Sequence, residues 1–338
     1  MQRSNVKVEV NALVTRVILE SGRAVGVEYV QNGVRHSVRA EREVLLAGGV
    51  INSPQLLMLS GIGDPEELQP HGIAVMHALP GVGRNLQDHV MAPIAYRRRS
   101  PGPFQRNMRL DRVAAGLAKA YFLGTGFATD LPGPLMAFLK TSPELAVPDM
   151  QLLFHGGPLA AGPYLPPFKP AFADGFSCIA VVLRPESRGR LRLASSDPAM
   201  PIRIHQNFLS AERDWQTLRA GIRLIREVNA KPPLERYVQA ELAPGAGKLA
   251  DADLDAHIRA TSITVHHPLG TCRMGPSADP MTVVDPELRV HGIDGLRVVD
   301  ASVMPSLVGG NINAPVMMIA ERAADLIAGR PTLAPDHV

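Results

Sequence analysis

The residues best suited to chemistry are two adjacent histidines, His266 and His267, in the run HHPLGTCRMG (266–275). Imidazole titrates near neutral pH, so one ring beside a bound substrate can act as a general base. A structural histidine and a metal ligand are the alternatives. A metal site fits poorly, because adjacent side chains rarely converge on one ion and Cys272 has no second thiol at ligand spacing. Three other stretches carry groups that could meet a ligand. AGGVINSPQLLMLSGIG (47–63) runs from a strand through glycines into a helix, so its backbone could approach a phosphate or a flavin. A plain strand-to-helix turn explains the same residues. GVGRNLQDH (81–89) begins like a dinucleotide fingerprint but has Leu86 where the third glycine belongs, which makes it a weak phosphate loop. Asn311 and Asn313 flank the start of a helix, where asparagines are ordinarily caps.

These groups need a frame. Leu296 to Asp300 is predicted as a short buried strand, since Val298 and Val299 are β-branched and Asp300 closes the run. A loop with Pro305, Gly309 and Gly310 follows. A helix then starts near Asn313, with Asn313 as N-cap, Pro315 in the first turn, and Gly329 with Pro331 as its stop. Val316, Ile319, Ala323 and Ile327 recur at helical steps and turn one face inward. Strand, glycine loop and helix N-terminus together could seat an anion or an electron-rich ring, and an ordinary βα unit of an α/β sheet explains the same pattern.

Earlier in the chain, NVKVEV, LVTRVILE, AVGVEYV and VRHSVRA alternate with period two, and Ser21-Gly22 and Asn32-Gly33 supply hairpin turns. EVLLA (43–47) is expected as a strand covered on both faces, turning through Gly48-Gly49 into a helix capped by Ser53 with Pro54 first. Asp64-Pro65-Glu66-Glu67 is a capping box that Gly72 stops. Residues 93–175 are rich in proline and glycine, which sets a domain boundary near residue 90. FSCIAVVL (176–183) and GRLRLAS (189–195) are expected strands. Ser210 is expected to cap a long helix whose Trp215, Leu218, Ile222, Ile225 and Val228 form a core stripe. The closing RPTLAPDHV is expected to fray.

Composition narrows the classes. The 338 residues could hold about two domains. Hydrophobic residues at 46% and charged residues at 20% describe a soluble globular protein, and no run of 18 apolar residues could span a membrane. A net charge of +3, with Arg97, Arg98 and Arg99 as the one tight basic run and no aromatic ladder beside it, argues against nucleic acid. Cys178 and Cys272 are too few for a disulfide framework, and MQRSNVKVEV has no signal-peptide core. Both favour a reducing, cytoplasmic location.

Together the motifs resemble the glucose–methanol–choline (GMC) oxidoreductases, FAD-dependent alcohol dehydrogenases and oxidases, and within them the choline dehydrogenase-like group. GGVINSPQLLMLSGIG is similar to that family's second signature. GVGRNLQDH, SRGRLRLASSDP (187–198), HHPLGTCRMG and GLRVVDASVMPSLVGGNINAP (295–315) follow in the family's order. The family's G-x-G-x-x-G unit is missing from the sequence, so the resemblance is to the C-terminal portion of a member, which implies a possible N-terminal half elsewhere.

The resemblance implies a small-molecule alcohol as substrate, FAD as cofactor, an unspecified electron acceptor and no metal. It makes His267 the general base, His266 a pocket wall, and Asn313 the second catalytic position. It aligns Val14 with a valine near the adenine, Ala47 and Gly48 along the dinucleotide, Asp300 and Ala301 with the pyrophosphate–ribityl region, and Ala314 and Pro315 beside the isoalloxazine. The expected fold is α/β (α+β): a partial FAD-binding, Rossmann-like domain plus a substrate domain with a mostly antiparallel sheet. Its parts are residues 1–90, the C-terminal half of the FAD-binding domain; 91–265, the substrate domain; and 266–338, the active-site segment and final βα unit. A non-catalytic fragment or partner subunit, unable to hold FAD alone, is the alternative.

Overall fold

A computed structural model of the chain describes residues 3–129, 135–158 and 160–331. Most of the expected frayed tail, residues 332–338, lies outside them. Helix and strand each take 28% of the described residues, the mixed α+β content expected. Two units emerge, one of Met1–Asp88, Ser187–Ser210 and His266–Val338, the other of His89–Glu186 and Ala211–Val265.

The first unit opens with an antiparallel sheet of Ala12–Glu20, Arg23–Gln31 and Val34–Arg39. Both connecting turns have positive φ at both central residues, Ser21 (48°) with Gly22 (81°) and Asn32 (52°) with Gly33 (77°). That geometry matches the right-handed twist of the paired strands. The preceding NVKVEV is not a strand, contrary to its alternation. Val6, Val8 and Val10 stand 48%, 57% and 66% exposed, and among the described residues no strand pairs with them. Alternation alone does not satisfy a strand's backbone groups.

Val44–Leu46 pairs in parallel with Leu296–Val298, so residues some 250 positions apart lie side by side. Leu46, Leu296 and Val298 are buried in the unit's main core. Arg297 clamps the pair from the side: its Nε and Nη2 donate to the Glu43 carboxylate at 2.7 and 3.1 Å.

In the second unit, Gly175–Val182 is the central strand of an antiparallel sheet and every one of its residues is buried. Val90–Arg98 and Met150–His155 flank it, with Cys178 opposite Ile94 on one side and Phe154 on the other. The helix Glu212–Asn229 covers this sheet through Leu218, Ile222 and Ile225, all at 0% exposure, while Trp215 and Val228 are half-buried. Gly221 allows the close approach, since a Cβ there would stand 2.9 Å from the Ala180 Cβ. Ala211 rather than Ser210 occupies the N-cap, with no side-chain cap bond. No helix among the described residues is long and apolar enough to cross a membrane.

Candidate active site

The Gly49–Leu59 helix is the mechanical centre of the first unit. It starts after an N-cap at Gly48, so Ser53 and Pro54 lie inside it rather than at its head. Proline lacks an N–H and leaves the carbonyl four residues earlier without its helical partner. That carbonyl, Val50 O, accepts from the fully buried Thr271 hydroxyl at 2.6 Å. Ser53 has a different task from capping by position: its Oγ accepts from the Gly48 N–H at 2.9 Å and donates to Asp300 Oδ2 at 2.6 Å. Asp300 also accepts from Gly49 N–H at 3.0 Å and from Ser302 N–H at 2.8 Å. An anion is favoured at a helix N-terminus, and here the chain's own carboxylate takes that place. Asp300 also caps the short 3-10 helix Ala301–Val303.

The His267 segment hangs from this frame. Leu269 exchanges backbone hydrogen bonds with Gln87, at 3.1 and 2.9 Å. Leu86 is 1% exposed in the main core, so the leucine that spoils the dinucleotide fingerprint is a packing residue. The Gln87 side chain holds the 305–307 loop, donating to Pro305 O at 3.1 Å and accepting from Leu307 N–H at 3.3 Å. Gly270, at φ +92°, passes so near Asn85 that a Cβ would stand 2.7 Å from its carbonyl oxygen. No side chain fits there.

His267 itself is half-buried. Its backbone N–H donates to Asp88 Oδ1 at 3.0 Å. The preceding His266 sits at φ +63°, a left-handed conformation uncommon outside glycine that redirects the chain just before the ring. Burial pushes the His267 pKa below its ordinary value; Asp88 pulls it back up and His266 lowers it further. The ring's Nε2 lies 3.3 Å from Asn311 Nδ2.

The final helix, Asn313–Ala328, begins one residue earlier than a cap at Asn313 requires. Ile312 is the N-cap, already at helical dihedrals and with no side-chain cap bond. Asn313 is therefore the first helical residue, its Nδ2 3.8 Å from Met317 Sδ. A small apolar cluster of Leu269, Met304 and Leu307, packed by Ile312, Val316 and Ile319, fixes this end of the helix against the His267 segment. The pairing at His267 is thus with Asn311, two residues before Asn313. Ala314 is exposed and Pro315 half-buried in the same first turn.

Val14, Ala47 and Gly48 line one cavity of about 720 Å³, together with Leu45, Gly26, Glu43 and Asn52 among others. Asp300 and Ala301 do not line it, but Asp300 grips Ser53, which does. Neither Asp88 nor Thr271 has an evident role from sequence alone. A signal for Asp88 was there: an acid flanked by Gln87 and His89 in a run otherwise read as a loop. For Thr271 the signal was Pro54, whose missing N–H must be answered from elsewhere. Both cysteines are buried and free, and burial raises both thiol pKa values, that of Cys178 to about 12. Among the described residues, no three His, Cys, Asp or Glu side chains gather as metal ligands.

The chain as a whole has known relatives. The chain is 40% identical over its whole length to the oxygen-dependent choline dehydrogenase 1 of Chromohalobacter salexigens, covering 60% of that protein. It is 42% identical to the mitochondrial choline dehydrogenase of Homo sapiens over 98% of the chain and 55% of the relative. A crystallised formate oxidase of Aspergillus oryzae, studied for modification of its FAD, superposes with a TM-score of 0.81 at 28% identity. That match covers 94% of this chain and 60% of the other. The chain thus spans somewhat over half the length of these proteins. Two family models, both described as GMC oxidoreductase, match residues 1–91 and 185–320, more than half of the sequence between them. By these matches and by the motifs that build its site, the chain belongs to the GMC oxidoreductase family.

Proposed function

We propose that this chain carries the proton-handling part of an FAD-dependent alcohol oxidoreductase of the choline dehydrogenase-like kind, with His267 as general base. One observation carries the reading: a half-buried imidazole, biased toward its neutral form, whose Nε2 faces the start of the final helix. Of the residues aligned with the cofactor, three border one space. Val14, Ala47 and Gly48 share a cavity whose volume, about 720 Å³, falls within the roughly 300–1,000 Å³ of small-molecule sites. Nothing lies within 4 Å of where a Cβ on Gly49 would stand, which leaves its backbone approachable.

When bound, FAD supplies the hydride acceptor. The chain's own task is the proton. An alcohol hydroxyl has a pKa near that of water, about 15.7, so full ionisation at pH 7 would cost roughly 12 kcal/mol at 1.36 kcal/mol per unit. A base must take the proton as the hydride leaves, and a positioned imidazole contributes about 10²–10⁴-fold. Asn313 cannot accept a net proton; its carboxamide would hold the substrate oxygen. Asp300 would keep the Gly48–Gly49 turn in place, and Ala314 and Pro315 would border the ring system.

In flavin-loaded protein, His267→Ala should lower alcohol oxidation by about 10²–10⁴-fold with the visible flavin band intact. Full activity in that variant overturns the reading.

A further inference from the structure

His267 meets a side chain that neither the family alignment nor the proton-transfer scheme uses. Asn311 lies in the GGNIN run, held over the site because Ile312 and Leu307, one on each side of it in sequence, belong to the small apolar cluster under the loop. Its Nδ2, 3.3 Å from His267 Nε2, carries only hydrogens. A ring nitrogen facing it must present its lone pair, so the imidazole hydrogen sits on Nδ1. That is the tautomer in which Nε2 can act as a base toward the first turn of the final helix.

We infer that Asn311 is a positioning residue: its carboxamide N–H holds His267 in the Nδ1–H tautomer with the Nε2 lone pair aimed at the substrate position, and the substrate hydroxyl replaces it as donor. The inference rests on the reading of His267 as the base. The exchange is balanced, because one N–H···N hydrogen bond is given up for one O–H···N, and the proton then moves along the latter. Among the described residues, the ionisable groups acting on the ring are Asp88 from the 85–88 segment and the neighbouring His266. The 304–312 loop contains no titratable side chain, and the first turns of the final helix contain none before Glu321.

The test is nitrogen-15 NMR of selectively labelled histidine, which reads tautomer and titration directly and needs no turnover. Asn311→Asp keeps the side chain's size and removes both N–H donors. Asn311 is exposed, so the variant should fold, and a thermal melt checks that it does. In the wild type Nε2 should be the unprotonated nitrogen at neutral pH. In Asn311→Asp the hydrogen should move to Nε2 to meet the carboxylate, and the His267 titration midpoint should rise by about one pH unit, the low end for an adjacent opposite charge. Asn311→Ala should give a mixture of tautomers and a smaller rise. An unchanged tautomer and midpoint in both variants overturns the inference. If the NMR changes as expected while His267→Ala still oxidises alcohol, Asn311 keeps its role and the base assignment is what fails.

Discussion

The Thr271 hydroxyl donates to the Val50 carbonyl at 2.6 Å across 221 residues of sequence, filling the gap that Pro54 leaves in its own helix. The contact joins two family motifs, SPQLL and HPLGT, by one missing backbone N–H. Thr271→Val should cost about 1–3 kcal/mol, the penalty for stranding a buried carbonyl. In a Pro54→Ala background the helix supplies its own donor, so the same substitution should cost at least about 1 kcal/mol less. A double-mutant cycle by chemical denaturation measures this, and additivity within about 0.5 kcal/mol would refute it.

Asp300 gathers three donors, Gly49 N–H, Ser53 Oγ–H and Ser302 N–H. Hydrogen bonds to a charged group are worth about 1.5–3 kcal/mol each, though not additively. Asp300→Ala should therefore destabilise by about 2–4 kcal/mol and Ser53→Ala by about 1 kcal/mol. Comparable losses for the two variants would mean that Ser53, and not the carboxylate, organises the turn.

The depressed pKa of His267 has a sign that can be checked. Its neutral form is favoured by burial, so the acid limb of kcat/KM should fall below the ordinary histidine value of about 6.5. Asp88→Asn removes the charge that pulls the pKa back up, and should move the limb lower still. The same shift affects folding. Between about 6.5 and the folded value the unfolded chain binds the extra proton, so the ring's contribution to stability is lost as pH falls through that window. An acid limb above 6.5, or a rise on Asp88→Asn, contradicts the electrostatics.

Glu43 and Arg297 pair beside the parallel strands, and the hydrogen bonds from Arg297 hold the Glu43 carboxyl below its ordinary range despite partial burial. Arg297→Met should cost about 1–3 kcal/mol, between the values for exposed and buried pairs. In the wild type this contribution is present above pH 4.5 and fades as pH falls through the lower folded value. In Arg297→Met that fading should vanish from the acid denaturation profile.

The sequence made visible those features that are local. Asn32-Gly33 turns where Asn-Gly must, and Leu218, Ile222 and Ile225 face the core because their spacing is helical. Local preference misleads about caps where tertiary contacts outrank it: Ser53 looks like a cap before Pro54, yet it serves Asp300, nearly 250 positions away. The motif draws attention to Asn313 and says nothing of Asn311, whose hydrogen bond to the His267 ring depends on the apolar packing of Ile312 and Leu307. No periodicity encodes such a meeting. Leu86 shows the converse, a departure from a glycine pattern whose meaning is burial.

The strand Val44–Leu46 is bonded to Leu296–Val298 along one side only, and among the described residues no other strand joins it. Its free side and the 47%-exposed Leu45 border the large cavity. Whatever occupies that space lies against Leu45 and the second edge of this strand. Occupancy and unfolding are then linked by mass action: at one hundred times its dissociation constant, an occupant would raise stability by about 2.7 kcal/mol. The melting temperature of this protein should climb with occupant concentration.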